Sequence, residues 1–159
     1  MLASILKNIE VRLYNGRPKI IQASLGWEEH DEIFNYIRAL ILNDRSRVEF
    51  YTNENIKDFR YSETKKEPNT IYCLLLNDIF GLDNFPILIN QAYGFKNVIL
   101  IGFTNIDSCD IDYRKMTTIA GRYETYFLAA HSFLETPQNT SFITYLSKGY
   151  RLLKMVLTT

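Results

Sequence analysis

Four aspartates carry the most pointed chemistry in this 159-residue chain. Asp107, Asp110 and Asp112 follow the apolar run 98–103, and Asp78 follows the apolar run 71–76. If both runs are parallel strands, the four carboxylates gather at one end of a sheet, where open α/β sheets bind their ligands. Carboxylates placed there can hold Mg2+ or Mn2+, which take oxygen ligands. A metal so held can activate water for phosphodiester cleavage. These four are the candidate catalytic and metal-binding residues. They also have a plainer use. Asp is a preferred loop and N-cap residue, and Asp110 or Asp112 is wanted as a cap for the helix expected next. The spacing D-x-x-D-x-D has no Gly and no following Glu, so it is not a calcium loop. The plainer use is favoured, and the metal site is the alternative.

Other clusters divide in the same way. Glu28, Glu29, His30, Asp31 and Glu32 read as the solvated first turn of a helix, with acids complementing its dipole. The competing reading makes Glu29 and His30 metal ligands or acid–base groups. Glu49 and Lys19 fall on expected strands and could belong to a nuclease-type set, although strand charges more often face solvent. Near the C-terminus, Lys148, Arg151 and Lys154 stand beside Tyr145 and Tyr150. Cations interleaved with aromatics can meet phosphates and bases. Cations in the last turns of a helix are also the ordinary complement to its negative end.

Thiol chemistry is disfavoured. Cys73 lies inside an apolar run and reads as a small buried hydrophobe. Cys109 and His131 flank an expected continuous helix, which would hold them roughly 30 Å apart. The chain has no phosphate-binding loop, no GxGxxG, no GxSxG and no paired Cys or His at metal spacing. No cofactor is expected beyond Mg2+ or Mn2+ under the metal reading.

The elements that must position these groups follow from periodicity. Residues 9–14 alternate apolar and polar and run into Asn15-Gly16, a hairpin signal, with a return strand at 19–23. Ile33, Phe34, Ile37, Leu40 and Ile41 have helical spacing behind acids at 28–32. Residues 47–52 read as a strand and 53–69 as a long polar loop. Residues 70–103 form a strand–helix–strand unit, with Pro86 in the helix's first turn and Gly94 beyond its end. That pattern implies a parallel pair with a right-handed crossover. Met116, Ile119, Ala120, Tyr123 and Phe127 predict a long helix from about 112 to 134, broken by Pro137. A last helix is expected from about 140. Gly121 and Gly149 would then mark a close antiparallel approach of the two.

The expected fold is therefore α/β (or α+β). It is a single mixed sheet with an N-terminal hairpin, a βαβ unit around 70–103 and two C-terminal helices packed on the sheet, all in one domain over 1–159.

Composition bounds the class. Hydrophobic residues make up 47% of the chain, with 11 Tyr, 10 Phe and 1 Trp, enough apolar surface to offset chain entropy. The 18 Lys+Arg against 18 Asp+Glu argue against binding nucleic acid by bulk charge. No apolar run approaches the roughly 18–20 residues of a membrane span. The apolar start is too short for the core of a signal peptide. Two cysteines are no disulfide framework, so a reducing, cytoplasmic setting is expected. Phe, Tyr, Met, Ile, Asn and Lys total 64 against 27 for Gly, Ala, Arg and Pro, which points to an AT-rich genome such as that of a virus or mobile element.

The charges are not spread evenly. Residues 77–112 hold one Lys and five Asp, a net of −4, while 113–159 hold six cations and two acids, a net of +4. With no catalytic signature, many aromatics and apolar ends, the leading expectation is a non-enzymatic interaction or assembly module that self-associates. Its expected partner is a protein or a second copy, with nucleic acid an option through the basic C-terminal helices. The alternative is a divalent-metal-dependent nuclease or phosphodiesterase with its acidic site at the carboxyl edge of the sheet.

Overall fold

The computed structural model describes residues 2–23, 30–105 and 113–128. In chain order they form α1 (Leu2–Val11), β1 (Lys19–Ala23), α2 (His30–Asp44), β2 (Val48–Tyr51), α3 (Tyr61–Lys66), β3 (Ile71–Asn77), α4 (Phe85–Ala92), β4 (Val98–Asn105), α5 (Tyr113–Thr117) and β5 (Glu124–Leu128). The protein is α/β. The five strands make one sheet in the order β2-β3-β4-β1-β5. Every pairing among them is parallel.

β3 and β4 are buried along almost their whole length, as near-continuous apolar strands of a sheet covered on both faces must be. Successive side chains point to opposite faces, and the core divides accordingly. Ile21, Cys73, Leu75, Ile101 and Phe103 pack with Ile9 of α1 and Ile33, Phe34, Ile37 and Ile41 of α2. Ile20, Tyr72, Leu74, Leu76 and Leu100 pack with Phe85, Leu88 and Ile89 of α4 and with Ile119. β3 and β4 lie side by side, with α4 in the connection between them.

Three expectations are corrected. Residues 9–14 are not a strand, so there is no N-terminal hairpin. The alternation of Ile9, Val11 and Leu13 misleads because Val11 is 78% exposed while Ile9 and Leu13, four apart on one helical face, are buried. Asn15 and Gly16 do turn the chain, but they join a helix to a strand, and β1 pairs in parallel with β4 and β5. The sheet is consequently parallel among the described residues and not mixed.

The long helix from 112 also fails. Only Tyr113–Thr117 is helical. Gly121 adopts φ +75°, which ends the helical path, and residues 124–128, E-T-Y-F-L, continue as β5. The roughly 30 Å argument for Cys109 and His131 loses its premise, and both residues lie outside the described residues. The final helix and Gly149 also lie outside them, so the expected pairing of two C-terminal helices has only Gly121 in view, and it is a turn residue.

Candidate functional site

The sheet's topology locates the first place to look. β1 hands its chain to α2 on one face. Its neighbour β4 hands its chain towards α5, whose Met116, with Ile119 just beyond it, packs on the opposite face. Adjacent strands whose chains leave to opposite faces open a crevice at their carboxyl ends. Here that point lies between Ala23 and Asn105, which are paired in the sheet. The two connections leaving it, 24–29 and 106–112, lie outside the described residues.

At this edge the start of α2 leans over β4. The His30 ring packs 5.6 Å from Phe103 and 5.9 Å from Phe34, and its Nε2 lies 3.3 Å from Asp31 Oδ1. Beside it, a cleft of about 560 Å3 is lined by His30, Arg38, Asn53, Glu54, Asn77 and Asp78 among others. Two asparagines close the β2–β3 end of the cleft. Asn53 Nδ2 donates to the Asn77 carbonyl at 2.7 Å, and the Asn77 amide donates to Asn53 Oδ1 at 2.8 Å. The Asn53 side chain thus continues the strand ladder past the end of β2. Sequence reasoning missed this pair, because nothing marks which loop Asn will meet a strand 24 residues away.

Of the four candidate aspartates, Asp78 is the described one. It sits at the carboxyl end of β3, exposed, in the left-handed conformation with φ +48°. Its carboxylate stands over the following turn: a Cβ at Gly81 would lie 2.5 Å from Asp78 Oδ2. Asp107, Asp110 and Asp112 lie outside the described residues. The register pairs Asn77 with Phe103, so the 106–112 connection leaves the same edge of the sheet as Asp78. Among the described residues, no three His, Cys, Asp or Glu groups converge as a metal site. The other candidates, Lys148, Arg151, Lys154, Tyr145 and Tyr150, also lie outside the described residues, as do Glu28 and Glu29.

Lys19 and Glu49 are not brought together. β1 and β2 are separated by β4 and β3, roughly 14 Å across the sheet at about 4.8 Å per strand. Glu49 accepts a hydrogen bond from the Tyr51 hydroxyl at 3.0 Å. Lys19 instead opens β1 at the opposite, amino-terminal edge. It is 1% exposed, and its Nζ donates to Asn15 Oδ1 at 2.9 Å and to the Arg17 carbonyl at 2.8 Å, with Glu124 Oε2 at 3.7 Å. Burial lowers its pKa to about 8, against the opposing pull of Glu124. Burial by itself would raise the Glu124 pKa. Hydrogen bonds from Tyr126 (2.9 Å) and Asn15 (2.7 Å), with the Lys19 charge, outweigh that and hold it below the ordinary value. This network ties β1 to the edge strand β5. Cys73 lies fully buried in β3, where desolvation pushes its thiol pKa far up, so it is an inert core residue.

No family model matches the chain, and no curated protein matches it. Among solved structures, a chain described as "Structure of Rhizobiales Trip13" is similar, with a TM-score of 0.48 and 19% sequence identity, covering 79% of this chain and 53% of that one. This chain therefore spans about half the length of that structure. Among the described residues, no helix is long and apolar enough to cross a membrane.

Proposed function

We propose that this chain is a non-enzymatic interaction and assembly module whose copies associate along β5. The observation that carries this reading is the contrast between the two outer strands. β2, at one edge, has four residues, an exposed Glu49 and Arg47 just before it. Short length and charge are the usual means of keeping a sheet edge from pairing. β5, at the other edge, has five residues and follows the exposed Arg122, but turns no charge of its own outward. Its acid, Glu124, is turned to Lys19, and its Phe127 is 62% exposed. Among the described residues β5 pairs with β1 alone. An edge whose one acid is turned inward and whose Phe127 is exposed suits strand addition from a second copy.

Light scattering after gel filtration tests the proposal. Wild type is expected as a dimer or larger at micromolar concentration, and Phe127→Lys as a folded monomer. A wild-type chain that stays monomeric throughout overturns it. The AT-rich coding bias supports a viral or mobile-element source for such a module.

A second reading keeps the divalent-metal nuclease or phosphodiesterase. It is supported by the position of Asp78 at the same carboxyl edge from which the connection with Asp107, Asp110 and Asp112 departs. Calorimetric titration with Mn2+ tests it. Micromolar binding that is lost in Asp78→Asn combined with Asp110→Asn supports the site, and no heat of binding removes it.

A further inference from the structure

A parallel sheet sends every strand out from the same edge, so whatever precedes each strand collects on one end of the molecule. In this chain that end is basic. In spatial order across the sheet, the exposed cations Arg47, Lys66, Lys96, Arg17 and Arg122 come just before β2, β3, β4, β1 and β5. One cation thus stands before each strand, across roughly 19 Å at about 4.8 Å per strand, with Arg17 and Arg122 about three residues further along the strand direction than Arg47 and Lys96. None of the five is in an ion pair among the described residues, where the recorded pairs are Lys19–Glu124 and His30–Asp31. Four exposed carboxylates, Glu49, Glu63, Glu67 and Asp44, lie near the row, and Glu124 is committed to Lys19. The opposite edge carries exposed Asp31, Glu32, Glu54, Asp78 and Asp83, with Arg38 and Lys115 set among them.

Aromatic rings are set among these cations. Tyr93 is 40% exposed with the Arg17 guanidinium 5.9 Å from its ring centre. Arg45 lies 4.6 Å over Tyr14, and Lys65 lies 5.2 Å from Tyr61. The connections are tied to one another. The Gly94 amide donates to the Gly16 carbonyl at 2.7 Å, and Arg17 donates to the Gly121 carbonyl at 2.8 Å. The row is therefore held on a braced surface.

We propose that the amino-terminal edge of the sheet binds single-stranded nucleic acid, with phosphates along the row of cations and bases stacked on Tyr93 and its aromatic neighbours. A line of unpaired cations answers the phosphate backbone. The exposed Tyr93 ring among them, with the partly buried Tyr14 and Tyr61, favours unpaired bases, which present a π-face, over duplex, acidic protein or lipid headgroups. The larger share of acids at the opposite edge disfavours the same polyanion there. One end of the row, Arg122, adjoins β5, but Arg47 and Lys96 stand before β2 and β4, so their variants test this site apart from the proposed assembly.

The test uses the full chain and a 20-nucleotide fluorescein-labelled oligo(dT), read by fluorescence anisotropy. Binding at 50 mM salt is expected to weaken as salt rises, with a log–log slope of about −3.5 if five phosphates are neutralised at about 0.7 each. Arg47→Glu with Lys96→Glu, exposed positions whose side chains make no recorded contact, is expected to weaken binding at least tenfold while the thermal midpoint stays near wild type. Tyr93→Ala is expected to weaken binding about fivefold or more with the slope unchanged. Glu54→Gln, on the acidic edge, is expected to leave it unchanged. The proposal is overturned by no binding at 50 mM salt, by full affinity in the double charge reversal, or by preference for duplex or for phosphatidylserine vesicles over the oligonucleotide.

Discussion

Lys19 carries a charge in a costly place, because its side chain is 1% exposed at the start of β1. Asn15, the Arg17 carbonyl and Glu124 satisfy it, yet desolvation still lowers its pKa from 10.5 to about 8. A lysine with a lowered folded pKa binds fewer protons in the folded chain than in the unfolded one between those two values. Folding stability therefore rises with pH across pH 8 to 10.5, by at most about 3.5 kcal/mol at ~1.4 kcal/mol per unit. Tyr51 and Tyr126 act in the opposite sense. Burial raises both to about 12, so their contribution is lost as pH climbs above 10. The expected record is a denaturation midpoint that rises from pH 8 to near 10 and then falls. In Lys19→Met the rise should be absent and the fall retained, and a variant that keeps the rise would assign it to another group. At the acid end, the lowered pKa of Glu124 gives stability that is present above about pH 4.5 and lost as pH falls. Glu124→Gln should flatten that loss in the same measurement.

The connection between β3 and β4 crosses the sheet so closely that one strand position has no room for a side chain. A Cβ built on Gly102 of β4 would lie 2.6 Å from Ile79 Cδ1 and 2.8 Å from its Cγ2, and Ile79 itself is fully buried. Gly102→Ala should therefore destabilise by about 1–3 kcal/mol through overpacking. Combined with Ile79→Ala, which removes the obstructing atoms, the losses should be clearly less than additive in urea denaturation. Additive losses would mean the two sites do not touch. The same elements show what one sequence discloses. β3 and β4 are legible because strands buried on both faces are apolar throughout, and α2 is legible from its acids followed by a 3.6-residue period. Leu2–Val11 and Glu124–Leu128 are not. Ile9, Val11 and Leu13 fit a strand period until the exposure of Val11 is known, and Met116, Ile119, Tyr123 and Phe127 fit a helix period that Gly121 interrupts. Asp78 was readable as the end of a strand. The Asn53–Asn77 clamp and the Lys19–Glu124 tie were not, since they join residues 24 and 105 positions apart that the topology alone brings together.

At the scale of the whole molecule, a formal net charge of zero conceals a separation along the strand axis. The partition along the sequence, an acidic 77–112 and a basic 113–159, does not show it, since Lys96 stands at the basic end and Lys115 beside Asp83 at the other. The parallel sheet makes it by gathering Arg17, Arg47, Lys66, Lys96 and Arg122, drawn from across the chain, onto one end. Asp31, Glu32, Glu54 and Asp78 stand at the other end. A surface arranged this way responds to a charged matrix through the end it presents and not through its net charge, because exposed charges are felt over only about 10 Å at 0.1 M salt. At its isoelectric pH, about 6.7, the protein should thus be retained at low salt on both a sulfonate cation exchanger and a quaternary-amine anion exchanger. Arg47→Glu with Lys96→Glu should be released from the sulfonate column at distinctly lower salt. That variant also shifts the net charge by −4, so the matching control is Glu54→Lys with Glu32→Lys, which shifts it by +4 at the other end. If the polarity is real, the control should lose retention on the anion exchanger while the wild-type basic edge still grips the sulfonate resin. Flow-through of wild type on both columns at low salt would show that the two ends are too evenly neutralised to act as separate surfaces.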